Sequence, residues 1–280
     1  MPEVELADVT LAYDTFGPES ADAVVLIAGL SQPAGAWQLG AVPALADAGF
    51  HVVTFDNRGV EPSSSPPAPY SIDDMVGDTL GLIDHLGLEQ VSVVGYSMGG
   101  WIAETLAFAH PGRVKAAVFI GSCNEGTAWE KAVTTVERDM ARLDPELPRL
   151  YNAVETMRYL PNHELQQDKV VDDWLALVGD LPPWPNPGRL GQYEAALAWS
   201  CDTERANRWP TISTPCLVLA FEHDVDSPPA RAREAAAIIP HAKFVELIGA
   251  SHLGVFTHSD AVASEVVRYL IGPDSHGPSR

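Results

Sequence analysis

Val91-Ser92-Val93-Val94-Gly95-Tyr96-Ser97-Met98-Gly99-Gly100-Trp101 is the stretch on which the fold turns. An apolar, β-branched run enters G-x-S-x-G, and a helical segment leaves it, stopping at His110-Pro111-Gly112 where proline and glycine disfavour continuation. A strand that bends sharply into a helix at a serine holds that serine in a strained backbone conformation with its hydroxyl projected. Gly95 and Gly99 must then be small, because a side chain at either would clash across the turn. The plainer alternative for Ser97 is a solvent-facing residue in an ordinary glycine-rich strand-to-helix loop.

Working outward, short β-branched runs recur at Ala23 to Ile27, His51 to Phe55, Val91 to Val94, Ala116 to Ile120, Cys216 to Ala220 and Lys243 to Leu247. Helical segments separate them, which predicts a mostly parallel central sheet with flanking helices, an α/β architecture. Residues 4 to 15 alternate instead, through Val4, Leu6, Val9, Leu11 and Tyr13, and predict an antiparallel hairpin at the sheet edge. Ser71 and Asp74 form a capping box ahead of an apolar face of Ile72, Met75, Val76, Leu80 and Ile83, a helix ending near Gly87. Ala230 to Ile239 and Asp260 to Leu270 read as the last helices.

Between about residues 124 and 210 the alternation lapses into helical segments broken by Pro161, by Leu181-Pro182-Pro183-Trp184-Pro185 and by Gly188. The expected organisation is a core of residues 1–123 and 211–272, a helical cap at 124–210 and a flexible tail at 273–280. Trp129, Trp174, Trp184, Trp199 and Trp209 all fall in the insertion. Either such rings line a pocket, with Trp129 and Trp184 as candidate substrate contacts, or they glue the insertion to the core. Trp37, outside the insertion, divides between the same two roles.

Composition narrows the partners. Apolar residues make up 46% of a 280-residue chain, enough for one large domain with a sizeable core. A formal charge of -21 opposes binding to phosphate backbones and to anionic membrane surfaces, so the expectation is a small-molecule substrate, with no nucleic acid and no membrane. Met1 to Glu5 carries no basic n-region, and no apolar run approaches the roughly 18 residues that span a bilayer. Cys123, Cys201 and Cys216 are an odd set without CxxC spacing, which reads as reduced thiols in a cytoplasmic protein. His163-Glu164 lacks the following histidine of a zincin helix, and no Walker A or dinucleotide glycine fingerprint occurs, so no metal and no cofactor are expected.

From about residue 4 to about residue 271 the chain resembles α/β-hydrolases of the esterase and cofactor-free haloperoxidase (perhydrolase) branch, and the G-x-S-x-G turn is the most specific carrier of that likeness. The resemblance implies a nucleophile, acid and base in the chain order serine, acid, histidine. Asp224 resembles the family acid: Cys216-Leu217-Val218-Leu219-Ala220 leads into its loop, and a proline follows four residues on. Asp226 is the alternative, and Glu125, after an earlier strand, a third. His252, in Ile248-Gly249-Ala250-Ser251-His252-Leu253-Gly254 before the final helix, stands where the family keeps its base. An imidazole there can relay the proton of a serine hydroxyl, itself a weak nucleophile. His258 reads as a surface or capping residue and His223 as packing beside the acid.

Backbone N–H groups aimed at the developing oxyanion complete such a site. Met98, after the nucleophile, offers one, and Leu30, in Ala28-Gly29-Leu30-Ser31-Gln32, resembles the family's second donor. Ala28-Gly29 replaces the common His-Gly, which puts the anchoring of that loop in question. Asp56-Asn57-Arg58-Gly59-Val60-Glu61-Pro62-Ser63 resembles the family's Asp-x-Arg-Gly-x-Gly-x-Ser loop, with Glu61 for glycine, and reads as structural bracing. Serine at position 97 argues against dehalogenase and epoxide hydrolase chemistry, which use a carboxylate. The expected activity is serine-dependent hydrolysis of an ester, thioester or related acyl bond of a small hydrophobic molecule through an acyl-enzyme. The alternatives are a non-hydrolytic step on the same fold (lyase, acyl transfer, perhydrolysis or bond formation) and a ligand-binding receptor.

Overall fold

In a computed structural model, which describes residues 1–143, 151–178 and 186–272, the chain begins with β1 (Glu3–Glu5), β2 (Thr10–Phe16), β3 (Ala23–Ile27), α1 (Ala41–Asp47) and β4 (His51–Phe55). There follow α2 (Ile72–His85), β5 (Val91–Tyr96), α3 (Met98–Ala109) and β6 (Val114–Ile120). Five helices come next, α4 (Ala128–Leu143), α5 (Tyr151–Met157), α6 (Asn162–Leu165), α7 (Asp168–Val178) and α8 (Asn186–Cys201). The chain then returns to the sheet with β7 (Cys216–Phe221), α9 (Pro229–Ile238), β8 (Lys243–Leu247), α10 (Gly254–Thr257) and α11 (Ser259–Ile271).

Eight strands form one sheet in the order β1-β2-β4-β3-β5-β6-β7-β8. The pairs β1 with β2 and β2 with β4 are antiparallel, and the remainder are parallel. The predicted edge hairpin is therefore β1 and β2. Strands β3, β4, β5 and β7 are buried along their whole length because helices cover both faces, which is why they read as mostly apolar runs, with His51, Thr54 and Ser92 the buried polar members. Successive residues serve opposite faces. Val25, Ile27, Val53 and Val93 join the layer under α2, α3 and α9, whereas Val24, Leu26, Val52 and Val94 join the layer under α1 and α11.

Three strand boundaries differ from expectation, the smallest being β7, which runs one residue past Ala220 to Phe221. Strand β5 runs two residues beyond Val94, because Gly95 and Tyr96 still pair with Phe119 and Ile120, and β6 starts at Val114. The capping box is present: Ser71 Oγ accepts from the Asp74 amide at 3.2 Å, and the Asp74 carboxylate accepts from the Ser71 amide at 2.7 Å. Among the described residues no helix is long and apolar enough to cross a membrane.

The helices between β6 and β7 join the core through tryptophans. Trp199 stacks on Trp101 at 6.1 Å, and the Trp209 indole donates to Glu104 Oε1 at 2.9 Å. Glu104 is buried. Burial raises its carboxyl above the ordinary range, against the opposing charge of Arg205 and the indole bond. Trp184 lies outside the described residues.

Candidate active site

Ser97 closes β5 and opens α3 with φ 52° and ψ -122°, a left-handed conformation that an L-residue adopts only under restraint. Its amide donates to the Ile120 carbonyl at 2.9 Å, tying the turn to β6. Space is the second restraint. A Cβ on Gly95 would stand 2.0 Å from the Gly99 carbonyl oxygen, and one on Gly99 would stand 2.1 Å from that of Ile27. The Gly-x-Ser-x-Gly spacing is therefore a steric requirement of the turn. Ser97 itself is half-buried.

Asp224 lies in the loop after β7. Its Oδ1 accepts from the amides of Asp226 at 2.9 Å and Ser227 at 2.8 Å, which leaves Oδ2 for His252 Nδ1 at 2.8 Å. A carboxylate only accepts, so His252 carries its proton on Nδ1, and Nε2 is free to accept from Ser97 Oγ, 3.1 Å away. The structure thus brings together residues 97, 224 and 252. Burial pushes the His252 imidazole down, but the charge and hydrogen bond of Asp224, with Asp226 and Glu130 behind, outweigh it and hold the group above its ordinary value. Two tyrosines flank the ring, with centroids 5.3 Å (Tyr96) and 5.1 Å (Tyr159) from it, and the Tyr96 hydroxyl donates to the His252 carbonyl at 2.7 Å.

The other candidates fall elsewhere. Asp226 Oδ1 receives the Trp129 indole N–H at 3.0 Å, so that carboxylate hydrogen-bonds the insertion and reaches the imidazole only through its charge. Glu125 is exposed. His258 pairs with Thr257 Oγ1 at 2.8 Å, and His223 packs its ring 5.7 Å from that of His163. Trp37 is buried in the core with Val24, Leu26 and Tyr96, whereas Trp129 is 52% exposed.

The loop carrying Leu30 is anchored without the family's histidine. Asn57 Nδ2 donates to the Ala28 carbonyl at 2.9 Å, and the Gly29 amide donates to Gln32 Oε1 at 3.0 Å. Met98 is the first residue of α3, where the helix dipole adds positive potential. Among the described residues, neither the Leu30 nor the Met98 amide has an internal acceptor. Below this loop Arg58 forms a two-bond ion pair with Asp78, both bonds at 2.6 Å, and also pairs with Asp8. Burial opposes its charge, but the two carboxylates prevail and hold the guanidinium above its usual value. Asp56 Oδ1 accepts from the Ala34 amide at 2.7 Å; burial, which outweighs that bond, carries its pKa up to about 6.

Sequence reasoning missed two contributors from the insertion. Tyr159 meets the imidazole, and Gln192 on α8 meets the Leu30 loop, its Oε1 accepting from the Ser31 amide at 2.8 Å.

A mostly parallel sheet carrying such a serine turn defines a class of enzyme fold. The alpha/beta hydrolase family profile matches residues 24–265, and the chain belongs to this family. It is 31% identical to BpoC of Mycobacterium tuberculosis, named as a non-heme bromoperoxidase, over 94% of this chain and 98% of that protein. The crystal structure of that protein superposes with a TM-score of 0.84, covering 93% of this chain and 95% of the other. The enol-lactonase from Burkholderia xenovorans LB400 superposes with a TM-score of 0.85 at 28% identity, over 97% of this chain and 100% of its own.

Proposed function

We propose that the protein is a serine hydrolase acting on an ester, thioester or related acyl bond of a small hydrophobic molecule. The observation that carries this reading is the imidazole of His252, bonded on one side to Asp224 and on the other to Ser97. In the proposed cycle Nε2 takes the hydroxyl proton as Oγ attacks the acyl carbonyl, and the oxyanion is met by the amides of Leu30 and Met98. Collapse breaks the bond to the leaving group, which receives the proton from the imidazolium. Water, activated by the same imidazole, then releases the acid and restores Ser97. The groups named carry every proton and electron pair.

For the substrate, the support lies in the insertion, read as a cap. Trp129 and Val136, seven residues apart on one side of α4, are both more than half exposed, and the Trp129 indole reaches the loop of Asp224 through Asp226. An apolar acyl or alkyl group suits that side. We read the enzyme as cytoplasmic, its three cysteines being unpaired, and as needing no cofactor. A second reading follows from the name of the Mycobacterium tuberculosis relative: hydrogen peroxide in place of water would capture the acyl group and release a peracid.

Turnover of p-nitrophenyl esters from acetate to octanoate tests the proposal. Faster cleavage of the longer chains, lost in Ser97→Ala, is expected. Equal turnover by Ser97→Ala, or a preference for short polar esters, would overturn the mechanism or the substrate class respectively.

A further inference from the structure

The insertion touches the catalytic end of the sheet at a buried amide. Gln192, on the second turn of α8, has no exposed surface. Its Oε1 accepts from the Ser31 amide and its Nε2 donates to the Arg58 carbonyl, both at 2.8 Å, so one side chain spans two loops of the core. The start of the same helix is held independently: the Tyr70 hydroxyl lies 3.2 Å from the Gly188 carbonyl, within donating distance. Arg58 in turn is locked by Asp78. Gln192 is therefore attached to a rigid base and reaches up to Ser31.

Ser31 has φ 59°, a left-handed conformation that favours glycine. It closes the turn whose apex is Leu30, with the Gln32 amide donating to the Gly29 carbonyl at 3.2 Å. Asn57 and Gln32 anchor only the front of this loop, at Ala28 and Gly29. Ser31 itself is exposed while Gln32 is buried, and the bond from the Ser31 amide is directed at the insertion. Without that acceptor, rotation about Ser31 toward an ordinary negative φ would swing the Leu30 turn away from Ser97.

We infer that Gln192 is a positioning residue for the oxyanion hole: the cap, through one amide, sets the direction of the Leu30 N–H. This rests on the proposed serine mechanism. It also ties catalysis to cap docking, since any displacement of α8 withdraws the acceptor from Ser31. The acyl carbonyl in the ground state makes weaker demands on Leu30 than the tetrahedral oxyanion does.

The test compares wild type with Gln192→Met, close in volume but without a comparable acceptor, and Gln192→Asn, whose shorter arm withdraws the acceptor while keeping its polarity. Three readouts are taken: kcat and KM on a p-nitrophenyl ester, the inhibition constant of a trifluoromethyl ketone that forms a tetrahedral adduct, and fluorophosphonate labelling of Ser97. Gln192→Met is expected to lose about 10- to 100-fold in kcat with KM within about threefold, because an oxyanion donor is misdirected and not deleted. Affinity for the ketone should fall by the same factor as kcat/KM, while Ser97 still labels to completion. Gln192→Asn should show the same pattern, and it decides the matter alone if Gln192→Met does not fold. Ketone affinity within twofold of wild type, or a loss confined to KM, in either folded variant overturns the inference. A wild-type enzyme that fails to label at Ser97 overturns the serine mechanism instead, so the two failures are distinct.

Discussion

The Nδ1 atom of His252 lies 2.8 Å from Oδ2 of Asp224, a carboxylate with no exposed side-chain surface. That contact sets the imidazole tautomer, and two backbone amides on Oδ1 keep the carboxylate from turning away. Asp224→Asn would present an amide in its place and favour the wrong tautomer. Its kcat should fall by about a thousandfold to ten-thousandfold. Asp226→Asn, still able to accept from the Trp129 indole, should lose less than about tenfold. Steady-state kinetics on one ester with both variants separates the two carboxylates.

In the proposed cycle the imidazole must be neutral to accept the Ser97 proton, and its pKa is held above the ordinary value. Activity should therefore fall as the pH drops through a midpoint higher than the usual value of about 6.5. Asp226 contributes to that elevation, so Asp226→Asn should move the acid limb of kcat/KM to lower pH. An unmoved or raised midpoint would contradict the electrostatics. The same group affects stability in the opposite sense: its contribution is complete below the unfolded imidazole pKa and is lost as pH rises through the folded one.

At the serine turn, Gly95→Ala would drive a methyl group to 2.0 Å from a backbone carbonyl oxygen, where no flexible side chain can yield. Destabilisation of about 2 to 4 kcal/mol is expected, read from the urea midpoint at unchanged slope, together with loss of activity.

Arg58 and Asp78 are both nearly inaccessible, so removing one leaves the other charged and buried. Arg58→Ala should cost about 3 to 5 kcal/mol. The double variant Arg58→Ala/Asp78→Ala should cost less than the sum of the single changes, and a denaturant double-mutant cycle measures the difference.

The sheet was legible because its central strands are covered on both faces. Ala23–Ile27 is apolar at every position and His51–Phe55 carries Val52, Val53 and Phe55 beside the buried polar His51 and Thr54, so both runs announce themselves. Beta5 reads short because Gly95 signals a turn, while its backbone still pairs with Phe119. Ser97 and His252 could be singled out despite a sequence separation of 155, since each follows a recognisable strand, β5 directly and β8 by a short loop. Gln192 had no such marker. Its role arises from one tertiary hydrogen bond across 161 residues, and a glutamine on a helix looks the same in sequence whether it bridges two loops or faces water. The insertion tryptophans were ambiguous for a similar reason: burial of Trp199 and Trp209 against Trp101 and Glu104, and exposure of Trp129, depend on how the helices dock.

The most direct measurement is the mass of the Ser97 peptide from enzyme quenched during turnover of a slow ester. The serine mechanism predicts a peptide heavier by one acyl group, with the addition on Ser97, forming and decaying at rates that account for kcat. An unmodified peptide throughout turnover, with the acyl group found on another residue or on none, would contradict it.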